Sequence, residues 1–263
     1  MARKPAAAAA AIAAVFCIAG LPQMRLRQLP DRDGPTPPPD AEFHFVRLEY
    51  KDLPHARRGF IRGWWMQDWP EADIHFLQGI RRLTRIDAGD GRHMPITDER
   101  LFDYPWAYAT QVGYWDLSDA ETDRLREYFL KGGFLVVDDF YGPQDWAVFA
   151  ESMQRVLPRQ PIVDLEDGHP ILHVLYDINE RTQIPGLRHL RRGLGGAIVA
   201  QPQPWPPKWR AIYDKRRRMV VAINFNMDVG DAWEHADMPE YPEAMTSLAY
   251  RFGINYIIYA MTH

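Results

Sequence analysis

The stretch Gly132-Gly133-Phe134-Leu135-Val136-Val137-Asp138-Asp139 constrains the fold more than any other part of this chain. Four apolar residues in a row, two of them β-branched, predict a strand buried on both faces, as inside a parallel sheet. Upstream, Ser118 and Glu121 have capping-box spacing, in which the hydroxyl accepts from the third amide and the carboxylate reaches back. Leu125, Tyr128 and Phe129 follow at helical spacing, and Gly132 suits the end of that helix. Downstream, Gly142-Pro143 is followed by Trp146, Phe149, Met153 and Val156, a second helical stripe that runs out at Pro158. Helix, buried strand and helix make a right-handed crossover unit and set the class as α/β. The carboxyl end of such a strand is where open α/β sheets bind ligands, and Asp138 and Asp139 stand there.

The rest of the chain supplies further elements. Residues 42–50 predict a first strand, and Ala72, Phe76, Ile80 and Leu83 predict a helix whose first turn accommodates Pro70. Asp68 precedes it as a helix-start carboxylate. Short strands are expected at 85–87, 101–110, 162–165 and 195–201. Residues 210–214 and 219–225 pair across the turn Lys215-Arg216-Arg217-Arg218, and 241–261 form a terminal amphipathic helix.

The first five residues carry Arg3 and Lys4, an apolar run covers 6–21, and Pro22 follows. This is the layout of a secretory signal peptide or a short amino-terminal anchor. It predicts a periplasmic or exported protein, with the inner membrane engaged only through that segment. Residues 22–41, rich in proline and aspartate, form a tether, and 42–263 form one α/β domain. Cys17 is the only cysteine and lies in the leader, so the remainder has no disulfide, thiolate ligand or cysteine nucleophile. Loss of Arg3 and Lys4 from the 31 basic residues leaves 29 against 35 acids, a net charge of −6 that argues against nucleic acid.

Three groups carry candidate chemistry. Asp139 and His169 are the candidate catalytic pair for acid–base work, while Asp138 is a candidate ligand-binding carboxylate. Asn224, Asn226, Asp228, Asp231 and Trp233-Glu234 form a second cluster, from which Asp228, Asp231 and Trp233 are candidate ligand-binding residues. Its spacing is not that of an EF-hand, because Val229 stands where the loop needs glycine. Each group also has a structural reading: strand-end acids cap helices, aspartates serve turns, and a histidine before proline is bonded in its loop. The basic stretches 188–192 and 215–218 are expected as solvated turns. No cofactor fingerprint is present, neither phosphate loop, dinucleotide glycines nor G-x-S-x-G elbow; a divalent metal at the carboxylates remains open.

In this order, Asp68-Trp-Pro-Glu-Ala-Asp73, Leu101-Phe-Asp-Tyr-Pro105, Leu117-Ser118, Gly132 to Asp139, His169-Pro170 and Asp228-Val-Gly-Asp231 resemble the bacterial family catalogued as domain of unknown function 4159. The resemblance implies a flavodoxin-like three-layer sandwich with a mostly parallel sheet, similar to class I glutamine amidotransferases and ThuA-like proteins. Those amidotransferases use a cysteine at a strand-to-helix turn, where this chain offers Asp138, Asp139 and Phe140. The expectation is therefore a binding or assembly module of the cell envelope, taking a polar small molecule or an envelope protein in a carboxylate-lined crevice. The alternative is a cysteine-independent hydrolase, metal-assisted, acting on a polar or carbohydrate-like substrate.

Overall fold

A computed structural model describes residues 41–56, 63–193 and 198–263. The expected leader and all but the last residue of the expected tether therefore lie outside the described residues, as does the start of the strand expected at 195–201. Among the described residues no helix is long and apolar enough to cross a membrane.

Seven strands form the central sheet: β1 (Val46–Glu49), β2 (Arg92–Pro95), β3 (Trp106–Thr110), β4 (Phe134–Asp138), β5 (Ile162–Asp164), β8 (Lys208–Tyr213) and β9 (Met219–Phe225). A separate antiparallel pair joins β6 (Leu190–Arg192) to β7 (Ile198–Ala200). The main sheet runs β2-β1-β3-β4-β9-β8-β5, parallel from β2 through β9 and antiparallel at β8 and β5. This is a mixed α/β fold with a mostly parallel sheet.

Every residue of β4 is buried, as a central strand flanked by β3 and β9 requires. Its alternation splits the core in two. Phe134 and Val136 face the side packed by helices α1 (Glu71–Leu83), α4 (Val229–Glu234) and α5 (Glu243–Thr262). Leu135 and Val137 face α2 (Asp119–Leu130) and α3 (Gly142–Val156). The Ser118–Glu121 capping box is formed, and Gly132 follows α2 at φ 106°, a left-handed value that glycine adopts without strain.

Several expectations are corrected. The strand expected at 85–87 lies after the glycine turn, at Arg92–Pro95, and pairs along β1. Only the second half of 101–110 is extended; Glu99–Asp103 form a 3-10 turn capped by Asp98. Pro105 separates the two, since the residue before a proline is driven out of helical conformation.

Candidate functional site

β3, β4 and β9 run parallel and in register, so they end together. Each is followed by a non-glycine residue with positive φ: Gln111 (52°), Asp139 (52°) and Asn226 (61°). Left-handed backbone at such residues is uncommon and clusters at functional sites. The turn swings each side chain from the sheet toward the space beyond its carboxyl edge. There Gln111 Nε2 donates to Asp139 Oδ2 at 2.5 Å. Asn226 Oδ1 accepts from Gly142 N, and its amide nitrogen donates to the Pro206 carbonyl.

Asp138, still on the strand, has a different task. Its Oδ2 accepts from Val229 N (2.7 Å), Gly230 N (2.8 Å) and the Tyr108 hydroxyl (3.2 Å), anchoring the start of α4. Asp228 caps the same short helix by accepting from Asp231 N at 2.9 Å. Asp68 arrives from the other side. Its main-chain oxygen accepts from Ala72 N, but its carboxylate does not cap α1, whose start at Pro70 has no side-chain cap. With φ at 63°, Asp68 instead brings its carboxylate beside those of Asp139 and Asp228, correcting the helix-start expectation.

The outcome is a triad of carboxylates from three distant parts of the chain. Asp68, Asp139 and Asp228 each place one oxygen within 4.8 Å of the other two. All three are buried, Asp139 completely. Asp68 Oδ2 and Asp139 Oδ1 accept no hydrogen bond. Burial pushes all three carboxyl groups well above the ordinary carboxylate range, and repulsion from neighbouring acids adds to it: from Asp231 and Asp139 at Asp68, from Asp138 and Asp231 at Asp139, and from Asp139 and Asp231 at Asp228. Arg188 opposes this at Asp139. Burial also raises Asp138, to about 7, against the hydrogen bonds from the α4 amides.

Beside the triad lies a second group, Asp231, Glu234 and His235, with the same mutual reach. Burial works upward on Asp231. The hydrogen bonds from His235 and from Leu187 N outweigh it and hold Asp231 below its usual range. The bond to Asp231 in turn raises His235, so these two form an ion pair.

The remaining sequence candidates fall elsewhere. Trp233 is fully buried and stacks on Phe76, with centroids 4.0 Å apart, as part of the core under α1. His169 caps a 3-10 turn, its Nδ1 accepting from Ile171 N at 3.2 Å, and its ring lies against Tyr213 and Tyr259. Tyr213 pairs with Met219 at the start of β9, and Tyr259 packs on Phe134 at the start of β4. His169 therefore sits at the amino end of these strands, with the length of β4 between it and Asp139. The two are not brought together.

Residues 188–192 are not the solvated turn expected: they end a 3-10 turn at His189 and continue as strand β6, with Leu190 buried. Arg188 lies over the Tyr141 ring, and its Nη2 is 3.6 Å from Asp139 Oδ1. Arg47 is a further site-positioning residue, one that the candidate groups of the sequence leave out. It is fully buried on β1, is paired to Asp73, and donates to the Trp65 and Gln67 carbonyls, which sets the loop that presents Asp68. A charged residue inside an apolar strand is the clue that identifies such a group.

These features define an α/β protein with a buried acidic cluster at the carboxyl edge of its parallel strands. The chain matches the family described as a domain of unknown function, DUF4159, over residues 44–261, and it belongs to that family. A comparison with curated proteins gives no match.

Proposed function

We propose that this protein is a binding module whose carboxylate triad holds a hard divalent cation as the anchor point for a polar ligand. One observation carries the reading: three buried carboxylates from separate segments converge within 4.8 Å, two with an oxygen that no donor meets. Three like charges cannot all ionise so close together unless a cation stands among them. Oxygen-only donors favour Mg²⁺, Ca²⁺ or Mn²⁺ over softer metals, and ligand distances of about 2.0–2.6 Å are compatible with that spread.

The strand order β2-β1-β3-β4-β9 supports a flavodoxin-like reading of the sheet, with ligands taken at its carboxyl edge. On that reading Asp139 occupies the strand-to-helix turn where amidotransferase relatives carry cysteine. The apolar run at residues 6–21 supports export and work at the cell envelope. The hydrolase alternative has less support, since His169 is remote from Asp139; a base would come from the Asp231–His235 pair instead.

The test is a thermal unfolding titration of the full-length, chelator-treated protein with Mg²⁺, Ca²⁺ and Mn²⁺. A ligand at 100 times its Kd stabilises by about 2.7 kcal/mol, enough for a clear rise in midpoint. The rise should be lost in Asp228→Asn. No response to any of the three metals in the parent protein would refute the reading.

A further inference from the structure

We infer that the polar ligand carries an oxyanion, a phosphate or carboxylate group, and that Arg188 is the residue that recognises it. This rests on the cation reading above. Asp139 is fully buried, whereas the Arg188 side chain is 53 % exposed, so Arg188 is the solvent-facing partner of that carboxylate.

Two contacts hold the Arg188 head in place. Its carbon lies 5.2 Å from the Tyr141 ring centroid, and its Nε donates to His189 Nε2 at 3.0 Å. Its approach to Asp139, at 3.6 Å, is an ion pair but too long for a hydrogen bond. The Tyr141 hydroxyl, on the ring that the guanidinium covers, is buried and has no partner. A fork of N–H donors is therefore oriented beside the acids without being consumed by them.

The electrostatics then select the ligand. A cation in the triad engages Asp139, the carboxylate that Arg188 faces. The three carboxylates balance the divalent cation and Arg188, yet the metal keeps open coordination positions and the guanidinium keeps N–H donors that no acid takes up. A neutral polyol offers the guanidinium no charge, and an organic cation is repelled by both the metal and Arg188. A planar or tetrahedral oxyanion binds the metal with one oxygen and the guanidinium fork with others, the geometry for which arginine is suited.

Calorimetry on the full-length protein tests this, with Mg²⁺, inorganic phosphate and acetate as probes. With Mg²⁺ bound, one of the two anions should bind at least about tenfold tighter than without it. The anion that binds identifies the group. Arg188→Ala should weaken that anion by about tenfold or more while leaving Mg²⁺ binding equal or tighter, because a competing positive charge is gone. Arg188→Lys should recover part of the loss. If Mg²⁺ binds but neither anion does, or if Arg188→Ala leaves the anion unaffected, the inference falls and the cation reading stands. Anion binding indifferent to Mg²⁺ overturns the inference as well. If nothing binds, the inference falls, and the cation reading falls with it when Ca²⁺ and Mn²⁺ also fail to bind.

Discussion

Arg47 and Asp73 form a fully buried ion pair, in which Nε donates to both carboxylate oxygens at 3.1 Å and Nη2 donates to Oδ1 at 2.5 Å. The pair joins β1 to the first turn of α1. The remaining nitrogen, Nη1, donates to the Trp65 and Gln67 carbonyls, so the guanidinium also fixes the loop that delivers Asp68. Fold and site share this one cation.

Breaking the pair should therefore damage both. In Asp73→Asn the buried guanidinium loses its counter-charge, which costs about 3–5 kcal/mol in comparable pairs. Urea denaturation should show a loss of that size. At temperatures where the variant remains folded, its stabilisation by Mg²⁺ should also be weaker. A loss below about 1 kcal/mol would show that Arg47 is compensated by other groups.

The acids make stability depend on pH with a defined sign. An aspartate in an unfolded chain titrates near 4, whereas Asp138 titrates at about 7 and Asp68, Asp139 and Asp228 lie well above their ordinary range. Between those limits the folded state binds more protons than the unfolded one, so stability falls as pH rises. The melting midpoint in chelator should be higher at about pH 5.5 than at about pH 8. Mg²⁺ should reduce the difference by restoring stability at the higher pH. A midpoint that climbs with pH over this range would contradict the burial of ionisable acids described above.

Asp139→Asn separates a site residue from a structural one. The change removes one of three crowded charges and keeps the size of the side chain, so at neutral pH the protein should be as stable as before or more so. Its response to Mg²⁺ should vanish. A structural cap would behave in the opposite way, losing about 0.5–2 kcal/mol with the metal response intact. Thermal melts with and without Mg²⁺ distinguish the two by sign.

Val136→Asp tests the central strand. Val136 is fully buried between Tyr108 on β3 and Ala222 on β9. An unpaired charge there costs several kcal/mol against a total stability of about 5–15 kcal/mol for a typical domain. The variant should be recovered as insoluble or unfolded protein by circular dichroism. A soluble variant with an unchanged midpoint would remove β4 from the sheet centre.

The sequence by itself determined the parts of this protein that depend on near neighbours in the chain. The capping box at Ser118 and Glu121, the glycine after α2, the all-apolar run of β4 and the β8–β9 hairpin are local patterns, each set by residues within a few positions. It also drew attention to Asp139 and Asp228, because acids at a strand end are conspicuous. It could not tell Asp138, which anchors α4, from its neighbour Asp139, which joins Asp68 and Asp228. The backbone turn at φ 52° separates them, and nothing local forces it. Asp68 looked like a helix cap, Arg188 like a solvated turn residue, and Trp233 like part of the site for the same reason. Only the packing of β1, β3, β4 and β9 brings positions 68, 139, 188 and 228 together, buries Trp233 and sends His169 to the far end of the sheet. A carboxylate is a ligand or a cap according to which donors reach it, and at Asp138 and Asp139 those side-chain and amide donors come from 28 to 92 positions away in the chain.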